Sequence, residues 1–381
     1  MSQNKFLLWI PIYRDLAPDI SINKKYTDII ETLKLKGYHF DVITYTTGGI
    51  YFNETLIYGN RIKSTILRKF FFKIWGYAEI RRSIKQEKYD FIWYRFRVFT
   101  FPFFRLIKDI KTPDTKIIFE LGSFPFEGEL FNFKDKLKYK IFVAFIQNRL
   151  KNYVYKIITF CGQDSIYNIP TIKLSNGINK KNILNNPVTP LFKNELNLIS
   201  VSSVYYWHGL DRLIKGLANY YGNSFNPIKV SLHIAGEGME INNLKNMVQE
   251  LQLQEYVFFY GLVFGEKLNK MYSESHIGIG TLAMHRKDLT ADSSLKNREY
   301  FAKGLPVILC TPDADFPGNE CNYVKYVPRD DSDISIPGII DFYVNLNEQD
   351  GGNVAQYVTE YATAHLTWEK KIDQIIKEVY D

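Results

Sequence analysis

SSLKNREYFAKGLPVILC, residues 293–310, divides into a short helix followed by a buried strand. Ser293 or Ser294 can cap the helix start, because a side-chain oxygen there accepts from the free N–H groups of the first turn. Leu295, Glu299 and Ala302 recur at helical spacing and are expected to share one face. Gly304 falls where a left-handed stop is wanted, and Pro306 prevents the helix from resuming. Leu305 to Leu309 is then a continuous apolar run, the pattern of a parallel strand covered on both faces. Lys296 and Glu299 stand one turn apart near the helix start. That end offers unpaired N–H groups and the positive pole of the helix dipole, so it suits a phosphate. Lys296 adds a full charge, and Glu299 can accept from sugar hydroxyls. The same pair would equally form a surface ion pair on an ordinary helix, and spacing leaves both readings open.

Outward from this stretch the rhythm is that of an α/β protein. Towards the N-terminus, Phe6 to Ile12 reads as a buried strand, Ile22 to Lys36 as a helix stopped at Gly37, and Phe40 to Thr44 as the next strand. Further strands are expected at Tyr89–Arg95, Lys116–Leu121, Ile157–Phe160, Leu196–Ser202, Lys229–Ala235, Tyr256–Tyr260 and His276–Thr281. Asn182 to Pro190, rich in Asn and containing Pro, reads as a linker between domains. Gly236-x-Gly238 and Gly261 follow strands; each can admit a ligand close to the backbone or simply make a tight turn. Polar residues just past strand ends line the crevice of open α/β sheets. Glu120, entering the run FELGSFPFEGE, is therefore expected to face such a crevice, or to be a carboxylate paired with an arginine of the same wall.

Composition narrows the class. With 46% hydrophobic and 23% charged residues, the 381-residue chain has room for two ordinary globular domains. A net charge of +7 fits an anionic small substrate or an anionic membrane face, and no nucleic-acid motif accompanies it. Three scattered cysteines without ligand spacing indicate reduced thiols rather than disulfides or zinc. The first residues read as a strand, not a signal peptide, and no apolar run approaches the ~20 residues of a membrane span. Two segments mix bases with aromatics. One runs from Asn60 to Lys88 with Arg61, Lys63, Arg68, Lys69, Phe70, Phe71, Phe72, Lys73, Trp75, Arg81 and Arg82. The other runs from Lys134 to Lys156 with Lys136, Lys138, Lys140, Phe142, Phe145 and Arg149. Either could be a solvated helix face over core aromatics; together they favour contact with an anionic leaflet.

Lys296-x-x-Glu299-Tyr300-x-Ala302-x-Gly304-x-Pro306-Val307 resembles the nucleotide-sugar site of retaining glycosyltransferases of the GT-B fold, family 4. Asn176-Gly177 resembles the turn that precedes their second domain. Trp207-His208-Gly209-Leu210-Asp211-Arg212-Leu213-Ile214 is similar to the opening of that domain in a bacterial surface-polysaccharide branch, and Ala235-Gly236-Glu237-Gly238 to its strand-end turn. The resemblance covers the second half in order and is thinner in the first, where FELGSFPFEGE is similar to an element of the same branch, which makes Glu120 a candidate for a catalytic or acceptor loop.

The resemblance implies an α/β GT-B architecture, two Rossmann-like domains facing across a cleft. Residues 1–183 would form the acceptor-side domain, 190–352 the nucleotide-sugar domain, and 353–381 a helix crossing back. It implies retaining, metal-independent transfer from a nucleotide-diphosphate sugar to a growing, lipid-linked bacterial surface glycan such as capsule, O-antigen or exopolysaccharide. The protein would be cytoplasmic and peripheral at the inner face of the membrane, with no cofactor. Lys296 would neutralise phosphate, the N–H groups of Ser294 and Leu295 would bind it, and Glu299 would hold the ribose. Several positions depart from the family. Where relatives carry Arg and Lys after the second domain's first strand, this chain has Ser203 and His208. A glycine pair after strand one is replaced by Pro11 to Asp15, where Arg14 supplies a charge. The glutamate expected eight residues before Glu299 is Ala291, which leaves Asp288 and Asp292, with Arg286 in the same loop, to meet the donor. Asp313-Ala314-Asp315 copies the metal triplet of the other glycosyltransferase fold but comes too late in the chain, and reads as a loop near the cleft mouth. A nucleotide-sugar epimerase and a non-catalytic donor-binding subunit are the rival readings.

Overall fold

The computed structural model describes residues 5–16, 20–59, 67, 71–96, 101–125, 133–145, 147–222, 228–317 and 321–381. The chain divides into two compact units, Met1–Leu174 with Trp368–Asp381, and Ser175–Thr367. The boundary therefore lies before Asn176, not at residue 183, and the second unit continues past residue 352. The expected linker at 182–190 is part of the second unit. Ile183 is buried, the Leu184 N–H donates to Ala302 O at 2.9 Å, and Thr189 Oγ1 accepts from the Ala355 N–H at 2.9 Å.

The first unit is built on strands β1 (Lys5–Tyr13), β2 (His39–Thr46), β3 (Gly49–Phe52), β4 (Thr55–Gly59), β5 (Phe91–Arg95), β6 (Lys116–Leu121), β7 (Lys156–Thr159), β8 (Ser165–Ile166) and β9 (Ile169–Lys173), in the order β4-β3-β2-β1-β5-β6-β7-β9-β8. The six strands β2, β1, β5, β6, β7 and β9 run parallel, and β3, β4 and β8 pair antiparallel at the edges. Strand residues alternate between two faces, and each face builds its own core. Leu7, Trp9, Ile92 and Phe119 lie in one; Phe6, Leu8, Phe91, Trp93 and Ile118 lie in the other. The helix Trp368–Tyr380 covers the second face with Trp368, Ile372, Ile375 and Val379. The C-terminal stretch expected as one helix is thus two, Val354–His365 in the second unit and Trp368–Tyr380 in the first.

In the second unit β10 (Glu195–Val201), β11 (Lys229–Ala235), β12 (Val257–Gly261), β13 (Ile277–Ile279), β14 (Val307–Leu309) and β15 (Val324–Tyr326) form a parallel sheet in the order β12-β11-β10-β13-β14-β15. The order reverses between β10 and β13, so the loops leaving these two strands flank a crevice at their C-terminal ends. The Tyr300 hydroxyl bridges the two strand ends, accepting from the Val201 N–H at 2.8 Å and donating to Ile279 O at 3.2 Å.

The first basic segment includes a π-helical turn, Phe72–Gly76, leading into the helix Tyr77–Lys85. Phe72 is partly buried and packs against the core, edge-on to Tyr45 and Tyr58, whereas Phe71 stacks on the exposed Trp75 at 4.4 Å. Arg61, Lys63, Arg68, Lys69 and Phe70 lie outside the described residues, as do Phe126 to Glu129 of the Glu120 loop. In the second segment Phe142 is buried and Lys136, Lys140 and Arg149 are exposed. Among the described residues no helix is long and apolar enough to cross a membrane.

Candidate active site

The loops after β10 and β13 are clipped together. The Leu282 N–H donates to His208 O at 3.0 Å and the Ala283 N–H to Trp207 O at 3.2 Å. Gly209 sits at φ +66°, and a Cβ there would lie 2.9 Å from Leu282 C and from Ala283 Cβ. Only glycine satisfies both the backbone and the space. On the other flank, a Cβ at Gly236 or Gly238 would fall 1.9 Å from Ser202 O or 2.1 Å from Val204 O. These glycines therefore serve the approach of two backbones. Gly261, at φ +64°, supports the same turn through its carbonyl, which accepts from the Gly236 N–H at 2.7 Å.

The helix Leu295–Ala302 begins in this crevice, and its Ser294 N-cap makes no side-chain hydrogen bond to the first turn. Lys296 is only 8% exposed, yet its Nζ has no hydrogen-bond partner among the described residues. Burial pushes its pKa down to about 7, although nearby Asp292 opposes the shift. The surface ion pair with Glu299 is not formed; Glu299 is half-buried one turn on, near Tyr272 and Tyr300. His208 is buried as well. Its Nδ1 accepts from the Tyr205 N–H at 2.9 Å, which leaves the proton of the neutral ring on Nε2. Burial, then the charges of Lys296 and Lys287, hold its pKa well below the ordinary value. Lys287, which the sequence reading passed over, is buried with its Nζ 4.5 Å above the Trp207 ring. Asp292 is half-buried and accepts from Thr281 Oγ1 at 2.9 Å.

Other sequence candidates do not join this group. Arg286 is occupied by a bidentate pair with Asp211 at 2.9 and 2.8 Å, by Asp331 at 2.8 Å and by Tyr206 O at 2.7 Å. Its planar fork matches those carboxylates, so it braces the loop. Asp288 is exposed in a left-handed conformation at φ +55°. Ser203 is exposed too, whereas the neighbouring Ser202 Oγ is buried without a partner among the described residues. Asp313 and Asp315, read as a loop near a cleft mouth, belong to a buried ion cluster. Arg298, 1% exposed, pairs with both carboxylates of Asp313 and Asp315 and donates to Asn176 O at 2.9 Å. The Asn176 N–H in turn donates to Ser293 Oγ at 2.7 Å. The Asn176-Gly177 segment, which forms no turn, and the triplet are thus parts of one scaffold that fixes the helix start.

In the first unit Glu120 is fully buried. It accepts from Lys25 Nζ at 2.7 Å and Trp93 Nε1 at 2.9 Å, with Arg95 at 3.6 Å. Burial would raise its pKa, but the Lys25 and Arg95 charges outweigh that and lower it. A carboxylate enclosed in this way joins β6 to the wall; the catalytic assignment is replaced by the pairing alternative. Arg14 is likewise committed, to Glu54 at 3.2 Å and to the Thr44 hydroxyl. It ties the loop after β1 to its neighbouring strand instead of standing in for glycines at a ligand.

Residues 184–312, within the second unit, match the family model of glycosyl transferases group 1. No curated protein matches the chain. Among solved structures, a glycosyltransferase from Rickettsia africae aligns over 100% of both chains at a TM-score of 0.61 and 13% identity. Sucrose-phosphate synthase from Thermosynechococcus elongatus aligns over 99% of each chain at 0.62 and 14%. HepE from Anabaena, solved with UDP and glucose, aligns over 99% of each at 0.58 and 13%. The shared fold is GT-B, with two parallel-sheet α/β units.

Proposed function

We propose that this chain is a retaining, metal-independent glycosyltransferase of family 4 that uses a nucleotide-diphosphate sugar. The observation that carries the reading is the buried ammonium of Lys296, without a hydrogen-bond partner among the described residues, at a helix start with no side-chain cap. A buried cation without an anion is costly, and a diphosphate supplies that anion. The group 1 match over this segment supports a sugar donor, and the UDP held by HepE supports a nucleotide. Lys296 neutralises the leaving diphosphate as the glycosidic bond to it breaks. The N–H groups of Ser294 and Leu295 and the Nε2–H of His208 add hydrogen bonds to the same developing charge. Glu299 accepts from the ribose hydroxyls, and Asp292 is the carboxylate nearest the place of the missing glutamate. Such fixed dipoles and charges are the largest source of rate in reactions that expel an anion. The carboxylates of Asp313 and Asp315 are committed to Arg298, so no metal role is assigned to them. The acceptor we infer is a growing, lipid-linked bacterial surface glycan, on the likeness of residues 207–214, with an anionic membrane face as partner.

The test is incubation of the protein with a panel of nucleotide sugars and a lipid-linked acceptor, followed by mass analysis. Transfer is expected, undiminished by EDTA, and Lys296→Ala should slow it ~100-fold while the protein stays folded. A changed epimer without transfer, or donor binding without turnover, would establish one of the rival readings. Activity lost to EDTA and restored by manganese would overturn the metal-independent mechanism.

A further inference from the structure

We propose that a cavity in the second unit, built on the same two loops as the donor site, binds one neutral pyranose unit of the glycan that the enzyme extends. The inference rests on the glycosyltransferase reading above and adds a sugar subsite outside the diphosphate position. The cavity has a volume of about 200 Å³. Pockets for drug-sized ligands begin at ~300 Å³, so this one takes a single ring and not a nucleotide. Tyr205, Tyr206 and Met247 give it apolar walls; Asp211, Glu240 and Asn243 give it polar ones.

The walls are fixed before any ligand arrives. The Val204 N–H donates to Glu237 O at 2.9 Å and the Glu240 N–H to Val204 O at 3.3 Å, which ties the loop after β10 to the start of the helix Ile241–Glu250. Arg286, on the loop after β13, donates to Tyr206 O at 2.7 Å and to Asp211 at 2.9 and 2.8 Å. Tyr205 is stacked on Trp207 at 4.5 Å. Ordered walls reduce the entropy lost on binding. Glu240 occupies the N-cap position of its helix yet makes no side-chain cap bond. Its carboxylate instead accepts from Asn243 Nδ2 at 3.0 Å and lines the cavity. A carboxylate has about four acceptor positions, so one bond from Asn243 leaves room for hydroxyl donors. Asp211 and Asp331 share Arg286, and Glu240 adds a further negative charge, so the surroundings repel a phosphate. A pyranose answers these walls. Its hydroxyls donate to carboxylates without the cost of desolvating a charge, and its C–H face meets the negative face of a tyrosine ring.

The experiment is saturation-transfer NMR on the full chain, without nucleotide, beside thermal melts. The probes are glucose, galactose, N-acetylglucosamine and rhamnose, each as the free sugar and as both methyl glycosides, with tetramethylammonium as a cationic control. At least one methyl glycoside is expected to bind. Met247→Trp, which fills the cavity, and Glu240→Ala, which removes the carboxylate, should each weaken that binding ~10-fold with an unchanged melting temperature. Asn243→Ala, at an exposed position, gives the same reading should either of these disturb packing. Lys296→Ala should bind the glycoside as wild type does, because it alters only the diphosphate position. Binding of none of the glycosides would overturn the proposal. So would binding that survives the cavity variants, or capture of tetramethylammonium alone, which marks a cation site. Free sugars that bind where both methyl glycosides fail would show a site with no exit for a chain and end the glycan assignment. The glycosyltransferase reading fails separately, by absence of transfer from every nucleotide sugar. With the glycoside still bound in the cavity, that result would leave a sugar site and remove the extended glycan from it.

Discussion

Lys296 shows how a single side chain can be legible in sequence while its neighbours are not. Its place at the start of a helix bounded by Gly304 and Pro306 follows from spacing, and the structure puts it there. Its burial was not legible, because it comes from the segments packed around the helix. Arg286 and Lys287 make the contrast sharper. They are adjacent basic residues in one loop, and nothing local says how each will be held. Asp211 offers the arginine a bidentate geometry that Asp331 completes, and the lysine stands over the Trp207 ring. Lys296 also has a consequence for stability. Its pKa is about 7 in the folded chain against an ordinary 10.5. Below pH 7 both folded and unfolded chains carry the proton, and the full penalty of a buried charge is present. Between pH 7 and 10.5 the unfolded chain binds more protons, so stability rises with pH until the penalty is gone. Each unit is worth about 1.4 kcal/mol, so the penalty is on the order of a few kcal/mol. Lys296→Met is therefore expected to melt higher than wild type at pH 6, with a gain that shrinks as pH approaches 9.5. An equal gain at both pH values would show that Lys296 does not titrate in this window.

Among the elements, β9 and β15, whose runs IPTIK and VKY are half polar, were not readable as strands, but the other strands of the two parallel sheets were, because a strand covered on both faces leaves a continuous apolar run. The β3–β4 hairpin was not. Its turn residues, Asn53 and Glu54, both lie at positive φ, +46° and +69°, the geometry usually signalled by Asn-Gly. Glutamate at the second position erases the signal. The helix Leu295–Ala302 departs from expectation for a different reason. An amphipathic stripe of Leu295, Glu299 and Ala302 was expected, but Lys296, Asn297, Arg298, Tyr300, Phe301 and Ala302 are all buried. The helix is enclosed by the sheet, by the segment at Asn176 and by Ala355 of the helix Val354–His365. Burial on all sides removes the periodicity on which a sequence reading depends. The glycines at the strand ends carry an element-scale prediction. Gly238→Ala places a methyl 2.1 Å from Val204 O, and backbone cannot yield cheaply there. A loss of ~2 kcal/mol or more, about 4 °C or more in melting temperature, is expected, together with weaker donor binding as the loop after β10 is displaced. Gly48→Ala, with its nearest neighbour at 3.6 Å, should melt like wild type. Equal melting of the two variants would mean that the close packing of these loops is not needed.

For the molecule as a whole, the proposed contact with a leaflet falls on the first unit. Ile74 and Trp75 are about half exposed, and the helix that follows them carries Arg81 and Arg82. Co-sedimentation with anionic vesicles is expected at low salt and should fall steeply towards physiological salt, because each basic residue near a leaflet contributes roughly 1 kcal/mol and is screened. Trp75→Ser with Arg81→Gln and Arg82→Gln should reduce binding and leave transfer to a short water-soluble acceptor intact. Vesicles of either charge that leave the protein in the supernatant would end the membrane proposal. The assignment of Trp368–Tyr380 to the first unit bears on another process, synthesis on the ribosome. The second unit is one continuous segment, Ser175–Thr367, and has all its strands once that segment has emerged. The first unit is made earlier but lacks the helix that covers one face of its sheet until the second has been completed. Phe6, Leu8, Phe91 and Trp93 stay without that cover while nearly two hundred further residues are added. The half translated last is thus the half free to fold first, and the nascent first half is the part that chaperones have to guard.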